Sequence, residues 1–440
     1  MFSLNLSNPR LWVSAGTLLT CGLVVGWYFS PGLPVLIGPW ALASTKAAGQ
    51  EVFEHEWQPN DPLAEGDGVG PVYNAKSCVA CHNQGGVGGS GDNSHNVRAF
   101  EVMPTAAAPE VRAGVVHNFA VDPSCQESEA TVRKLYPIIK GRTDPAPANG
   151  CGVPTVIPDF DPVVFEEVNT TSLFGAGWVD LISEKAILNN RMKRLATSAA
   201  HELAADFSDV PVGRARVLSD GRLGKFGWKA QAATLEEFVA SACSSELGLG
   251  TPHKEQARPM HRPDYPASAP DLSRKQFKNL VAFVSTLPRP VEVAPSEPAA
   301  KTQAEEGKKL FHSVGCAACH TPDLGGVKGV YSDFLLYTLE DENGNGSGGS
   351  YGGPSREFPL PPDHPRPTEW KTPPLWGVAD SAPYFHDGKS LTLHDAIVRH
   401  RGNAKSVTER YTALPAAQQQ ALVAFLLTLK APPDAAPVKK

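Results

Sequence analysis

The sequence predicts a mostly α-helical chain made of two diverged copies of one module, and three observations predict it. The five residues Cys78-Val79-Ala80-Cys81-His82 return as Cys316-Ala317-Ala318-Cys319-His320. A Leu-Val-Ala-Phe run closes each half, Leu280–Phe283 in the first and Leu422–Phe425 in the second. Between motif and closing run, Trp228 with Thr234-Leu235 aligns with His386 and Thr392-Leu393 at one constant separation.

The chain of 440 residues has room for two domains, and its formal charge of −6 argues against a nucleic-acid binder. Forty glycines and forty prolines predict long irregular connections. From Leu11 to Ala43 no residue is charged. Leu11–Ser30 is long enough to span a bilayer, with Arg10 placing the N-terminus inside. The competing reading is a long cleaved signal, for which Ala41-Leu42-Ala43 offers the small-residue site. Residues 1–45 are therefore an anchor or signal, and the body is exported.

Two thiols three apart with an imidazole after the second form the attachment signature of a c-type haem. On a helix these positions share a face, so one turn presents both thiols and the histidine together. A zinc half-site or a redox dithiol is the competing reading for one copy. Two copies with no partner CxxC disfavour it. The expected cofactors are two covalently bound haems, on Cys78, Cys81 and His82 and on Cys316, Cys319 and His320. Among the remaining cysteines, Cys125, Cys151 and Cys243 lie in an oxidising compartment, and Cys125–Cys151 is the expected disulfide.

The first module spans 46–287. A short helix over Gln50–Trp57 leads to the motif, and Gly85–Gly91 wraps the haem edge. Residues from 98 to 222 are a long insertion of mixed strand and helix character. Thr234 with Glu237 forms a capping box that opens a helix, and Asp271–Leu287 is a further helix. A proline-rich linker, 288–305, leads into the second module, 306–440. Asp341–Gly346 superficially resembles a calcium loop. However, Gly352 stands where the closing glutamate belongs, so it reads as a plain loop.

The repeat lets one half serve as the control for the other. Leu393, Ala396, Ile397 and His400 form one stripe at helical spacing, ending in an imidazole suited to be the sixth iron ligand. The matching stripe is Leu235, Phe238, Val239 and Ala242, and alanine cannot bind iron. The second haem is expected to be closed by His320 and His400, the first open to a small oxidant. One turn past Ala242, Glu246 is placed to shuttle protons during O–O cleavage. Its competing reading is a solvated helix-end acid. Trp228 is either an electron relay between the haems or a core aromatic.

Gly221–Gln231, Thr372–Val378 and Tyr384-Phe385-His386-Asp387-Gly388, with the two haem motifs, resemble the bacterial di-haem cytochrome c peroxidase superfamily, in particular its di-haem oxidoreductase branch. The resemblance runs from residue 49 to 430. It implies two cytochrome-c-like domains packed face to face, with His82 and His320 as proximal ligands. It implies that Trp228 lies between the haems and that Glu246 approximates the catalytic glutamate, two residues being absent from the intervening loop. His400 falls where relatives carry Met or Tyr, and Phe238 where the classical enzymes carry Gln. It further implies a calcium ion between the haems, and a histidine able to cap the first haem, for which His55, His95, His117, His201, His253 and His261 are candidates.

The expected function is an exported di-haem peroxidase. Electrons come from a small cytochrome c or cupredoxin through the His320/His400 haem. The alternatives are a di-haem enzyme oxidising an organic molecule or protein side chain, and a non-enzymatic electron carrier.

Overall fold

The computed structural model describes residues 39–104, 112–144, 155–200, 209–339 and 363–438. Residues 46–440 form one compact unit and residues 1–45 another. Eleven α-helices lie among the described residues: α1 (Pro39–Glu54), α2 (Cys78–Cys81), α3 (Glu129–Leu135), α4 (Ala176–Leu181), α5 (Glu184–Ala200), α6 (Leu235–Leu247), α7 (Arg274–Ser285), α8 (Pro298–Val314), α9 (Leu393–Val398), α10 (Lys405–Thr412) and α11 (Ala416–Leu426).

Local chemistry explains the boundaries. α6 opens on the expected capping box of Thr234 and Glu237 and stops at Gly248, whose φ of 61° an L side chain rarely adopts. Ser273 and Gln276 cap α7 in the same way. α8 starts with Pro298 in its first turn, where a missing N–H costs nothing. The linker expected over 288–305 is therefore shorter, since its last eight residues are already helix.

Each module is clamped by a crossing of its opening and closing helices. A Cβ on Gly49 in α1 would stand 2.0 Å from the Asn279 carbonyl oxygen in α7, and one on Gly307 in α8 would stand 1.8 Å from that of Ala421 in α11. Only glycine permits either approach. Four residues on, Phe53 and Phe311 are buried and meet Phe283 and Phe425 at 5.3 and 5.4 Å between ring centroids. The two halves thus share a Gly-x-x-x-Phe crossing that the sequence reading did not align.

The insertion is better ordered than expected. Its strand 97–102 pairs antiparallel with 112–116 on one side and 163–168 on the other. That sheet covers a small core of Phe100, Val102, Val116, Val132 and Val163. The main core joins Phe53, Leu235 and Phe283 of the first half to Leu324, Phe334 and Trp376 of the second. A separate core of Phe311, Tyr411, Leu422 and Phe425 belongs to the second half alone.

Among the described residues no helix is long and apolar enough to cross a membrane. The expected span Leu11–Ser30 lies outside the described residues, as do Cys151, His201 and the loop 341–353. Cys125 and Cys243 are buried free thiols.

Candidate functional site

The first motif forms one helical turn, α2, opened by Ser77, whose side chain accepts from the Ala80 amide. The second is a 3-10 turn over Cys316–Ala318 that follows Gly315, where φ is 108°. In both, the histidine leaves the turn with Nδ1 facing a backbone carbonyl: His82 to Gly89 at 3.1 Å and His320 to Tyr331 at 3.0 Å. His400 repeats the arrangement, with Nδ1 2.7 Å from the Ala396 carbonyl. Holding Nδ1 this way fixes the tautomer and turns Nε2 away from that carbonyl, the usual dress of a metal-binding histidine. Burial pushes His82 and His320 down to about 4 and lowers His400, so all three rings are neutral near pH 7.

The second site passes a geometric test. An imidazole nitrogen bonds a transition metal at about 2 Å and lies about 1.1 Å from its ring centre, so two rings on opposite faces of one metal stand about 6.3 Å apart. The His320 and His400 ring centroids are 6.5 Å apart, with the planes at 66°. Both rings, with Cys316 and Cys319, line an apolar cavity of about 270 Å³. These residues fit a haem. The dithiol reading fares poorly, because burial pushes the Cys81, Cys316 and Cys319 thiols up to about 12, and a reactive cysteine needs the opposite shift. Among the described residues no group of three or more His, Cys, Asp or Glu side chains is placed to hold a metal ion.

The stripe ending in His400 is less helical than its spacing suggests. α9 stops at Val398, and the His400 amide bonds to Ile397 in a tighter turn. In the first module α6 runs on past Ala242 to Leu247. Phe238 lines the cavity and stacks on Phe226 at 5.9 Å.

Glu246 is held by two kinds of bond to one loop. Asn74 Nδ2 donates to its carboxylate at 2.8 Å, and the Asn74 and Ala75 amides donate to its carbonyl. It lies close enough to Cys81 to act on that thiol electrostatically. Burial raises its pKa, against the Asn74 bond and His117. It is therefore no solvated helix-end acid, and Asn74 is a neighbour the sequence did not announce.

Trp228 lines the cavity and donates its indole N–H to the Asn169 carbonyl at 2.9 Å. It meets His386 edge-on at 6.4 Å, and His386 stacks on Trp370 at 3.5 Å. Trp228 and His386 are equivalent positions of the two modules, so the repeat meets itself here. The insertion contributes Asn169 and the run to Phe174 as cavity wall, a role its sequence did not disclose.

The described candidates for capping the first haem each have a ring nitrogen engaged elsewhere. His117 uses both, toward Glu127 at 2.7 Å and the Ser245 carbonyl at 3.0 Å. His55 bonds Asp61, His95 lies against Ser94, His253 pairs with Glu236, and His261 faces the Ser124 carbonyl.

A repeated module with a half-buried, carbonyl-anchored histidine after each CxxC pair, and a second imidazole facing one of them, defines a di-haem redox protein. The family comparison agrees. The family model "Di-haem oxidoreductase, putative peroxidase" matches residues 159–429, more than half of the chain, and the chain belongs to that family. The match includes the second motif and begins after the first. No curated protein matches. Among solved structures, the chain is similar to hydrazine synthase of Kuenenia stuttgartiensis, with 17% identity over 60% of this chain and 73% of that one and a TM-score of 0.32. It is also similar to a MauG-like protein associated with microbial copper homeostasis, with 18% identity over 56% of this chain and 89% of that one and a TM-score of 0.30.

Proposed function

We propose that this di-haem oxidoreductase is an exported peroxidase with one closed and one open haem site. The observation that carries the proposal is the asymmetry between equivalent positions, His400 facing His320 in the second module and Ala242 in the first. Cys78 and Cys81, and Cys316 and Cys319, would hold the two haems through thioether bonds, with His82, His320 and His400 as iron ligands. When bound, the haems supply one-electron iron chemistry, peroxide reduction at the first and electron entry at the second.

The chain's own residues do the rest. Glu246, half-buried and kept protonated to higher pH than an exposed acid, gives and takes the proton that O–O cleavage requires. Asn74 fixes which way that carboxyl points. Trp228, locked by its bond to Asn169, stands between the modules as an oxidisable ring. A small cytochrome c or cupredoxin is the electron donor.

A second reading is favoured by Phe238 on Phe226, an apolar wall that suits oxidation of an apolar organic molecule. Low-temperature electron paramagnetic resonance of the haem-loaded protein tests the asymmetry. One high-spin and one low-spin ferric signal are expected, and two low-spin signals in every redox state would sink it. Rapid mixing with peroxide, with and without reduced cytochrome c, separates the two readings by whether peroxide or an organic molecule is turned over.

A further inference from the structure

The loops carrying Trp228 and His386 have the same backbone. Phe226 bridges Ala232 in one and Tyr384 bridges Ser390 in the other. Each loop has two positive-φ positions at matching places, Gly227 and Ala230 in the first, Phe385 and Gly388 in the second. Glycine takes a φ of 79° freely, whereas Phe385 is held at 75°, an outlier for a bulky residue. Strain of this kind persists only where surrounding contacts enforce it.

Besides the adjacent His386 ring at 5.2 Å, the contacts on the Phe385 ring lead to His400. The Phe385 ring meets the His400 imidazole edge-on at 5.2 Å and 81°. The Arg399 guanidinium lies over the Phe385 ring, 4.3 Å from its centre. Arg399 is in turn tied to both Asp387 oxygens, at 3.0 and 2.9 Å, and to Ser390 Oγ at 3.0 Å. At the equivalent places the first module carries Gly227, Ser241, Lys229 and Ala232, and Ala242 in place of the histidine. Every member of the set is absent where the imidazole is absent.

We infer that Phe385, pinned by Arg399 and Asp387, is a positioning residue that holds the His400 ring across from His320 and fixes its plane. The inference rests on His400 being the sixth iron ligand. His400 follows the end of α9, its Nδ1 held by the Ala396 carbonyl of that helix, and Phe385 meets the ring as a second support. The plane angle of 66° is then a built feature, since the Ala396 bond and the edge-on Phe385 contact together stop the imidazole from rotating.

The test uses the haem-loaded protein and the variants Phe385→Gly, Phe385→Tyr and His400→Ala. Phe385→Gly restores the residue that suits the backbone, so it is expected to fold. Two readouts are taken: the low-spin g values of the second haem, and its rate of cyanide binding followed in the Soret band. For Phe385→Gly, the g values shift and cyanide binds about tenfold faster, as a loosened imidazole is displaced more often. Phe385→Tyr keeps both near the parent values. Wild-type g values and cyanide rate in Phe385→Gly, alongside an opened second haem in His400→Ala, would overturn the positioning role alone. No change in His400→Ala would overturn it together with the ligand assignment.

Discussion

The two modules are alike on the side of the CxxCH motif and unlike on the side that faces it. On the holding side Gly49, Phe53, Phe283 and His82 are matched by Gly307, Phe311, Phe425 and His320. Even the phenylalanine-to-histidine separations agree, 6.3 and 6.5 Å between centroids. On the facing side Phe385, Asp387, Arg399 and His400 stand against Gly227, Lys229, Ser241 and Ala242. A helix crossing with no room for a Cβ tolerates little change, because it sets the whole module's packing. A far-side residue can be exchanged without disturbing that crossing, so the facing side differs between the modules while the scaffold does not.

The largest way to break the contrast is to remove the ligand. His400→Ala is expected to convert the second haem from low to high spin and leave the first unchanged, as read by electron paramagnetic resonance. An unaltered spectrum would erase the difference between the modules. Next in size, Glu246→Gln should slow the reaction with peroxide by about 10²-fold, in the range general acid–base groups contribute, while haem content and the second haem's spectrum stay the same. A rate equal to the parent's removes Glu246 from the chemistry.

Two smaller effects test the sameness instead. Gly49→Ala and Gly307→Ala each force a Cβ into a carbonyl oxygen and should cost about 1–3 kcal/mol apiece, measured by denaturant unfolding. A loss in only one module would show that the crossings are not equivalent. Finally, burial holds both Asp271 and Asp333 up at about 6. Their unfolded value is about 3.9, so each favours folding most below about pH 4, and that contribution disappears as pH rises through 6. Asp271→Asn and Asp333→Asn should each flatten this fall in Tm between pH 4 and 6.

Much of the site was legible in the residues. The CxxCH pairs, His400, the Thr234 capping box and the constant separation between modules were visible because each depends on short-range spacing. The Gly49-x-x-x-Phe53 and Gly307-x-x-x-Phe311 match was also present in the sequence, but it gains meaning only when the closing helices cross it. Phe385 had a signal too, since the same separation sets it opposite Gly227. A phenylalanine in place of a glycine does not announce a positive φ.

The remainder needed the fold. The insertion's Asn169 became the anchor of Trp228, and Asn74 the partner of Glu246, through contacts spanning many residues. The end of α9 before His400 could not be read from a stripe whose spacing promised a longer helix.

By itself, the sequence determined that this protein has two thiol-and-imidazole motifs in a duplicated frame, with the His400 imidazole present in one copy only. Such features are covalent and local. Which side chains anchor, orient and bury those groups was decided by tertiary structure alone. The reason is that carbonyls, rings and carboxylates far apart along the chain become neighbours only once the helices have packed.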